Sequence, residues 1–94
     1  NKLNNKFKNI IDIYYKIIRI KKEKIYENGD KYIGELINEL KNGRGILYFN
    51  KNDENERDRY EGDFKEDKRE GKGILYWNDG EVYEGDWKED KKEE

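Results

Sequence analysis

The residues in this chain that could do chemistry are carboxylates and glycines. Asp53, Glu54, Glu56 and Asp58 fall close together, and an acidic run of that kind can hold a divalent cation. It lacks the spacing and the Gly of an EF-hand loop, and Arg57 and Arg59 interrupt it, so a solvated loop is the expected state. Glu61 and Asp63 form a pair of acids of the sort used in general acid–base work. With so many acids on exposed strand faces, such proximity arises by chance, and nothing in the sequence encloses the pair. Gly71-Lys72-Gly73 has the first half of a phosphate-binding loop, but the rest of G-x-G-x-x-G is missing and no helix follows. There is no His, the commonest general base and metal ligand. There is no Cys, which excludes disulfides, thiolate metal sites and Cys nucleophiles. The sequence therefore reads as non-enzymatic, with no catalytic residues, cofactor or metal.

Composition sets the scale of the elements. The 94 residues leave room for one domain. Charged residues make up 47% and apolar residues 32%, a balance that alone favours disorder. Eight Tyr, three Phe and two Trp oppose this, because each large aromatic buries substantial area. A deep core is excluded, and a thin solenoid that buries aromatics between neighbouring repeats is not. Net charge is −2 with both signs interspersed, so nucleic acid is not an expected partner. No run approaches the length of a membrane span, and no signal-peptide pattern opens the chain. Together with the missing Cys, this places the chain in the cytoplasm, with a peripheral position at a membrane or the cytoskeleton left open. The chain begins at Asn1 rather than Met, which fits a piece of a longer protein. Lys, Asn, Ile and Glu dominate over Ala and Pro, a bias common where a genome is rich in A and T, as in some protozoa.

Residues 1–23 read as an amphipathic helix, with Leu3, Phe7, Ile10, Ile11, Tyr14, Ile17 and Ile18 on one face. Lys2, Lys6, Lys8, Lys16, Arg19, Lys21 and Lys22 lie on its margins. Three roles suit it: a cap on the sheet or a segment docking on another copy, a membrane-surface anchor, or a linker to further sequence. The remainder, 24–94, is a repeat array. Tyr60-Glu61-Gly62-Asp63-Phe64 recurs as Tyr83-Glu84-Gly85-Asp86-Trp87, 23 residues on. Tyr32-Ile33-Gly34-Glu35-Leu36 is the same motif one unit earlier. Gly43-Arg44-Gly45-Ile46-Leu47-Tyr48-Phe49 matches Gly71-Lys72-Gly73-Ile74-Leu75-Tyr76-Trp77. The units are a degenerate 24–31, a repeat 32–59 with a polar insertion at 50–59, a repeat 60–82 and a truncated 83–94. Asn28-Gly29 and Asp79-Gly80 are turn signals at equivalent places.

Strand alternation sorts these residues into two faces. Tyr60, Gly62 and Phe64 share one, with Gly71, Gly73, Leu75 and Trp77 of the return strand. An aromatic from a neighbouring hairpin is expected to lie over the bare glycines. The other face carries Ile46, Tyr48, Ile74 and Tyr76, an apolar row suited to a helix or peptide. The fold expected is mainly β: a short antiparallel hairpin solenoid of four to five strands after one N-terminal helix.

These residues resemble the MORN (membrane occupation and recognition nexus) repeat, whose pattern is Tyr-x-Gly-x-Trp/Phe, a turn, Gly-x-Gly, an aliphatic–aromatic stretch and Gly-x-x-Tyr. The resemblance assigns repeat-structural roles to Tyr32, Gly34, Gly43, Gly45, Tyr60, Gly62, Phe64, Gly71, Gly73, Trp77, Tyr83, Gly85 and Trp87. Asp67 stands where the family has a turn Gly, Leu36 replaces the aromatic, and residues 1–23 do not match. The family implies a non-enzymatic protein-binding scaffold module in cytoskeletal or membrane-junction assemblies, here with Ile46, Tyr48, Ile74 and Tyr76 as the partner face. It also implies possible partners: another protein, a second copy, or anionic phospholipid. The alternatives are a peripheral phospholipid-binding module and a regulatory segment of a larger enzyme, such as a phosphatidylinositol phosphate kinase.

Overall fold

The computed structural model describes residues 8–11, 13 and 22–93. Residues 8–11 and 13 are helical. The rest of the helix expected over 1–23 lies outside the described residues, except Lys22 and Glu23, which are strand rather than helix. Among the described residues no helix is long and apolar enough to cross a membrane.

Seven strands form one antiparallel sheet in simple sequence order, more than the four or five expected. They are β1 (Lys22–Ile25), β2 (Lys31–Ile37), β3 (Leu40–Tyr48), β4 (Arg57–Lys65), β5 (Lys68–Trp77), β6 (Val82–Lys88) and β7 (Lys91–Lys92). The sheet's two outermost strands, β1 and β7, are its shortest.

The connections alternate in type. β2–β3, β4–β5 and β6–β7 join through two residues each, Asn38-Glu39, Glu66-Asp67 and Glu89-Asp90, all at positive φ. That backbone matches the right-handed twist of a hairpin even though no Gly is present. The missing turn Gly at Asp67 therefore leaves the geometry intact, and its side chain takes on a second task. Lys41 N–H donates to Asp67 Oδ1 (3.0 Å), Asp67 N–H donates to the Lys41 carbonyl (2.9 Å), and the Lys41 ammonium sits 3.0 Å from the same carboxylate. One repeat on, Arg69 and Asp90 do the same, with Arg69 N–H and Nε both donating to Asp90 Oδ1. Each hairpin tip is thus clipped to the hairpin before it.

The aromatic face is the core. Tyr32, Leu47, Tyr60, Phe64, Leu75 and Trp87 are buried on it. Gly34, Gly45, Gly62, Gly73 and Gly85 stand in register on successive strands, one continuous row. The rings over this row come from the same hairpin and not from its neighbour, contrary to the expectation. Tyr32 covers Gly34 and Gly45, Tyr60 covers Gly62 and Gly73, and Tyr83 covers Gly85. Each phenol then donates to a backbone carbonyl three residues on: Glu35 (2.8 Å), Asp63 (2.9 Å) and Asp86 (3.1 Å). A buried phenol needs such a partner.

Neighbouring hairpins interlock through the other aromatics. Phe64 packs edge-on to both Tyr32 and Tyr60, with centroids 5.3 and 5.0 Å away. Trp87 does the same to Tyr60 and Tyr83, at 5.4 Å each. Its indole N–H also donates to the Gly73 carbonyl at 3.3 Å. Edge-to-face contact is the favoured geometry for such rings.

Gly43 and Gly71 do not belong to this row. The ladder shifts register between Gly34 and Leu36, and again between Gly62 and Phe64. Gly43 and Gly71 sit in these bulges at positive φ (+78 and +74) and face the Glu35 and Asp63 carboxylates on the opposite side of the sheet. A bulge breaks strict alternation, which simple counting from Gly73 does not anticipate. Glu35 accepts the Arg44 N–H that this bulge frees (2.9 Å).

Candidate interaction surface

With one side filled by the aromatic ladder, the other side of the sheet is an outer face. Its residues fall into two cross-strand rows. One runs Glu23, Ile33, Ile46, Glu61, Ile74, Glu84 from β1 to β6. The next runs Ile25, Lys31, Tyr48, Arg59, Tyr76, Val82. The four residues singled out in the sequence are therefore together: Ile46 with Tyr48 on β3, Ile74 with Tyr76 on β5, and β4 between them.

Exposure differs along the second row. Ile25 is 70%, Tyr48 38% and Val82 53% exposed. Tyr76 is partly covered, because the Arg59 guanidinium lies 3.8 Å from its ring centroid. Arg59 is itself held by Glu61 (2.8 Å) and Asp58 (2.7 Å). These two carboxylates raise its pKa further above the ordinary guanidinium value, Glu61 first. Beside Ile74 the surface dips into an open depression of about 400 Å³ bounded by Arg44, Glu61, Lys72 and Glu84. The Arg44–Asp63 and Lys72–Asp86 ion pairs flank the rows on the side toward the hairpin tips.

Ile25, Ile33, Arg59 and Val82 were missed as members of this face. The signal existed. Ile25 stands 23 residues before Tyr48, and Val82 stands 23 residues after Arg59. The first strand of each unit supplies every second position of a row.

The candidate chemical groups do not converge. Asp53 is turned into its own loop, where Arg57 Nε and Nη2 donate to it at 2.9 and 2.8 Å. Those donations hold its carboxyl below the usual range, against the opposing push of burial. Asp58 and Glu61 serve Arg59, and Asp63 pairs with Arg44. Among the described residues no group of three or more His, Cys, Asp or Glu side chains could hold a metal ion. Gly71 lies in a strand bulge and not before a helix, so no phosphate loop forms.

On the aromatic side an open groove of about 640 Å³ runs over Leu75, Trp77 and Trp87. Arg57 reaches it because a bulge at Arg57/Arg59 turns it off the outer face. There its guanidinium stacks 3.9 Å from the Phe49 ring centroid. Arg69 lies 4.5 Å over Trp87.

No curated protein matches the chain as a relative. The family model for the MORN repeat matches residues 32–54, 60–82 and 83–93, which together exceed half of the chain. The first match ends inside the loop after Phe49, and the other two begin at Tyr60 and Tyr83, the tyrosines that cover the glycine row. Repeats of this kind are typically non-catalytic and generally serve as modules that contact proteins or membranes. On the matched motif and on the hairpin sheet it builds, this chain belongs to the MORN repeat family.

Proposed function

We propose that this chain is a non-enzymatic scaffold module that binds an amphipathic helix of a partner protein on its outer face. The observation that carries the reading is the placement of Tyr48 and Tyr76, with Ile46 and Ile74 beside them, on one face and two strands apart. Two strand spacings are about 9.6 Å. Seven residues of a helix rise about 10.5 Å. A helix lying across the strands would therefore set apolar residues at i and i+7 against Ile46 and Ile74. Glu61 and Arg59 stand between the two apolar pairs, with Lys31 and Glu84 beside them, so the face suits a helix that presents charged as well as apolar positions.

The test is affinity for a purified partner, measured by calorimetry with the wild-type chain and with Tyr48→Ala/Tyr76→Ala. Loss of tenfold or more at an unchanged melting temperature is expected, since buried aromatics dominate interface energetics. Unchanged affinity with an intact fold would remove the outer face from the interface. Vesicles of anionic lipid serve as the second arm. Salt-sensitive co-sedimentation that depends on Tyr48 and Tyr76 would move the face to a lipid role.

A further inference from the structure

Asn-Gly occurs twice in this chain, as Asn28-Gly29 and as Asn42-Gly43. A glycine leaves the peptide nitrogen after an asparagine unshielded, so both pairs can undergo attack of that nitrogen on the side-chain amide. The fold treats them differently. Asn42-Gly43 lies inside β3, between β2 and β4, with Gly43 opposite Phe64 in the ladder. Asn28-Gly29 is exposed in the turn between β1 and β2, with Gly29 at φ +95.

The turn also sets the side chain for the reaction. Asn28 Oδ1 accepts the Asp30 N–H at 2.9 Å. An Asx turn of this kind folds the amide back along the chain, which brings Cγ beside the next peptide nitrogen. The accepted hydrogen bond also draws electron density from the amide carbonyl. Gly29 N–H donates to the Tyr26 carbonyl (2.9 Å). That single bond in an exposed turn opens at far lower cost than a ladder in the middle of a sheet.

We infer that Asn28 is a site of spontaneous deamidation, and that the product loosens a tie between the first turn and the insertion loop. The Gly29 nitrogen forms a bond to Asn28 Cγ, the Cγ–Nδ2 bond breaks, and the amide leaves as ammonia with the proton from Gly29. Water opens the resulting succinimide at either carbonyl, leaving Asp or its β-linked isomer. Asp30 gives this step its consequence. Its Oδ2 accepts from Asn28 Nδ2 (3.2 Å), and its Oδ1 accepts from Asn50 N–H and Asn50 Nδ2, at 2.8 Å each. Deamidation removes the donor at Asn28 and sets a carboxylate against Asp30. The β-linked product lengthens the backbone of the turn as well. A carboxylate at this turn position is tolerated in itself, since Asp79 holds the equivalent place before Gly80 and accepts the Glu81 N–H at 2.9 Å. The damage comes from the facing Asp30, through which the insertion loop is held to the first turn.

The experiment incubates the full chain in mildly alkaline buffer, native and in urea, and maps its peptides by mass spectrometry. In the native chain the mass shift of amide to acid should appear at Asn28 at least tenfold faster than at Asn42. In urea the two rates should converge, because both are then Asn-Gly pairs in an open chain. Equal native rates, a faster Asn42, or a gap that persists in urea would each overturn the assignment. Two full-length variants test the consequence. Asn28→Asp should lower the melting temperature at neutral pH. Asn28→Asp/Asp30→Asn again sets a donor against a carboxylate and should recover it. An Asn28→Asp chain that melts with the wild type, or a double variant that stays low, would overturn the role given to Asp30.

Discussion

The ring of Tyr60 lies across Gly73 on the adjacent strand, in the space any other residue would fill with its Cβ. That contact recurs wherever the repeat is complete, and it is why the glycine row and the tyrosines stand at fixed spacing. Gly73→Ala must push the ring aside, which should cost about 1–3 kcal/mol as overpacking does. At Gly80 nothing lies within 4 Å, and only the positive φ opposes a side chain. Gly80→Ala should cost about 1 kcal/mol, the backbone strain alone. Urea unfolding of the two variants tests the order.

The hairpin tips separate backbone strain from side-chain contact. Glu39 and Asp67 hold equivalent positions at φ 65 and 72. A non-Gly residue in the left-handed region is disfavoured by about 1 kcal/mol or more. Glu39 lends only its carbonyl to a neighbour, accepting from Lys24 Nζ. Glu39→Gly should therefore stabilise the chain by roughly 0.5–1 kcal/mol. Asp67→Gly relieves the same strain but strips the buried Lys41 of its carboxylate, and should destabilise by about 1 kcal/mol net. Melting temperatures should move in opposite directions.

Titration gives two further windows. At Asp67, burial raises the carboxyl pKa, but donation from the Lys41 backbone and ammonium outweighs it and the net shift is downward. Asp53 is held down by Arg57. A carboxyl with a depressed folded pKa contributes stability that is present above its unfolded value, near 4, and lost as pH falls through the folded value. Acid unfolding should thus be shallower in Asp53→Asn and Asp67→Asn. Tyr60 works at the other end. Burial lifts its phenol from 10.0 to about 12, and nearby Asp63 adds to the rise. The unfolded phenol ionises first, so stability is full below pH 10 and falls between 10 and 12. Tyr60→Phe should remove part of that alkaline loss, read as fraction folded by circular dichroism from pH 9 to 12.

Much of this was readable because the side-chain period of a strand is two and the repeat supplies its own register. Tyr32, Tyr60 and Tyr83 announce the core face, and Ile46, Tyr48, Ile74 and Tyr76 the other. Gly43 and Gly71 were misassigned because a bulge inserts residues where counting assumes none. The source of the ring over each glycine was also misread. Spacing shows that a ring and a bare backbone must meet, but not whether Tyr60 bends over its own hairpin or the next. Asp67 looked like a departure from the motif because its partner, Lys41, lies 26 residues away. Contacts between repeats leave no local trace in the sequence. Arg57 shows the same limit, since only the bulge at Arg57/Arg59 decides which face it joins.

The central claim, recognition by the outer face, is tested most directly by site-specific photocrosslinking to a purified partner. A benzophenone side chain is installed at position 48 in one protein and at position 77, on the aromatic side, in another. The account predicts crosslinks from position 48 into a helical segment of the partner, at residues spaced near seven apart, and none from position 77. Efficient crosslinking from position 77 with none from position 48 would contradict it.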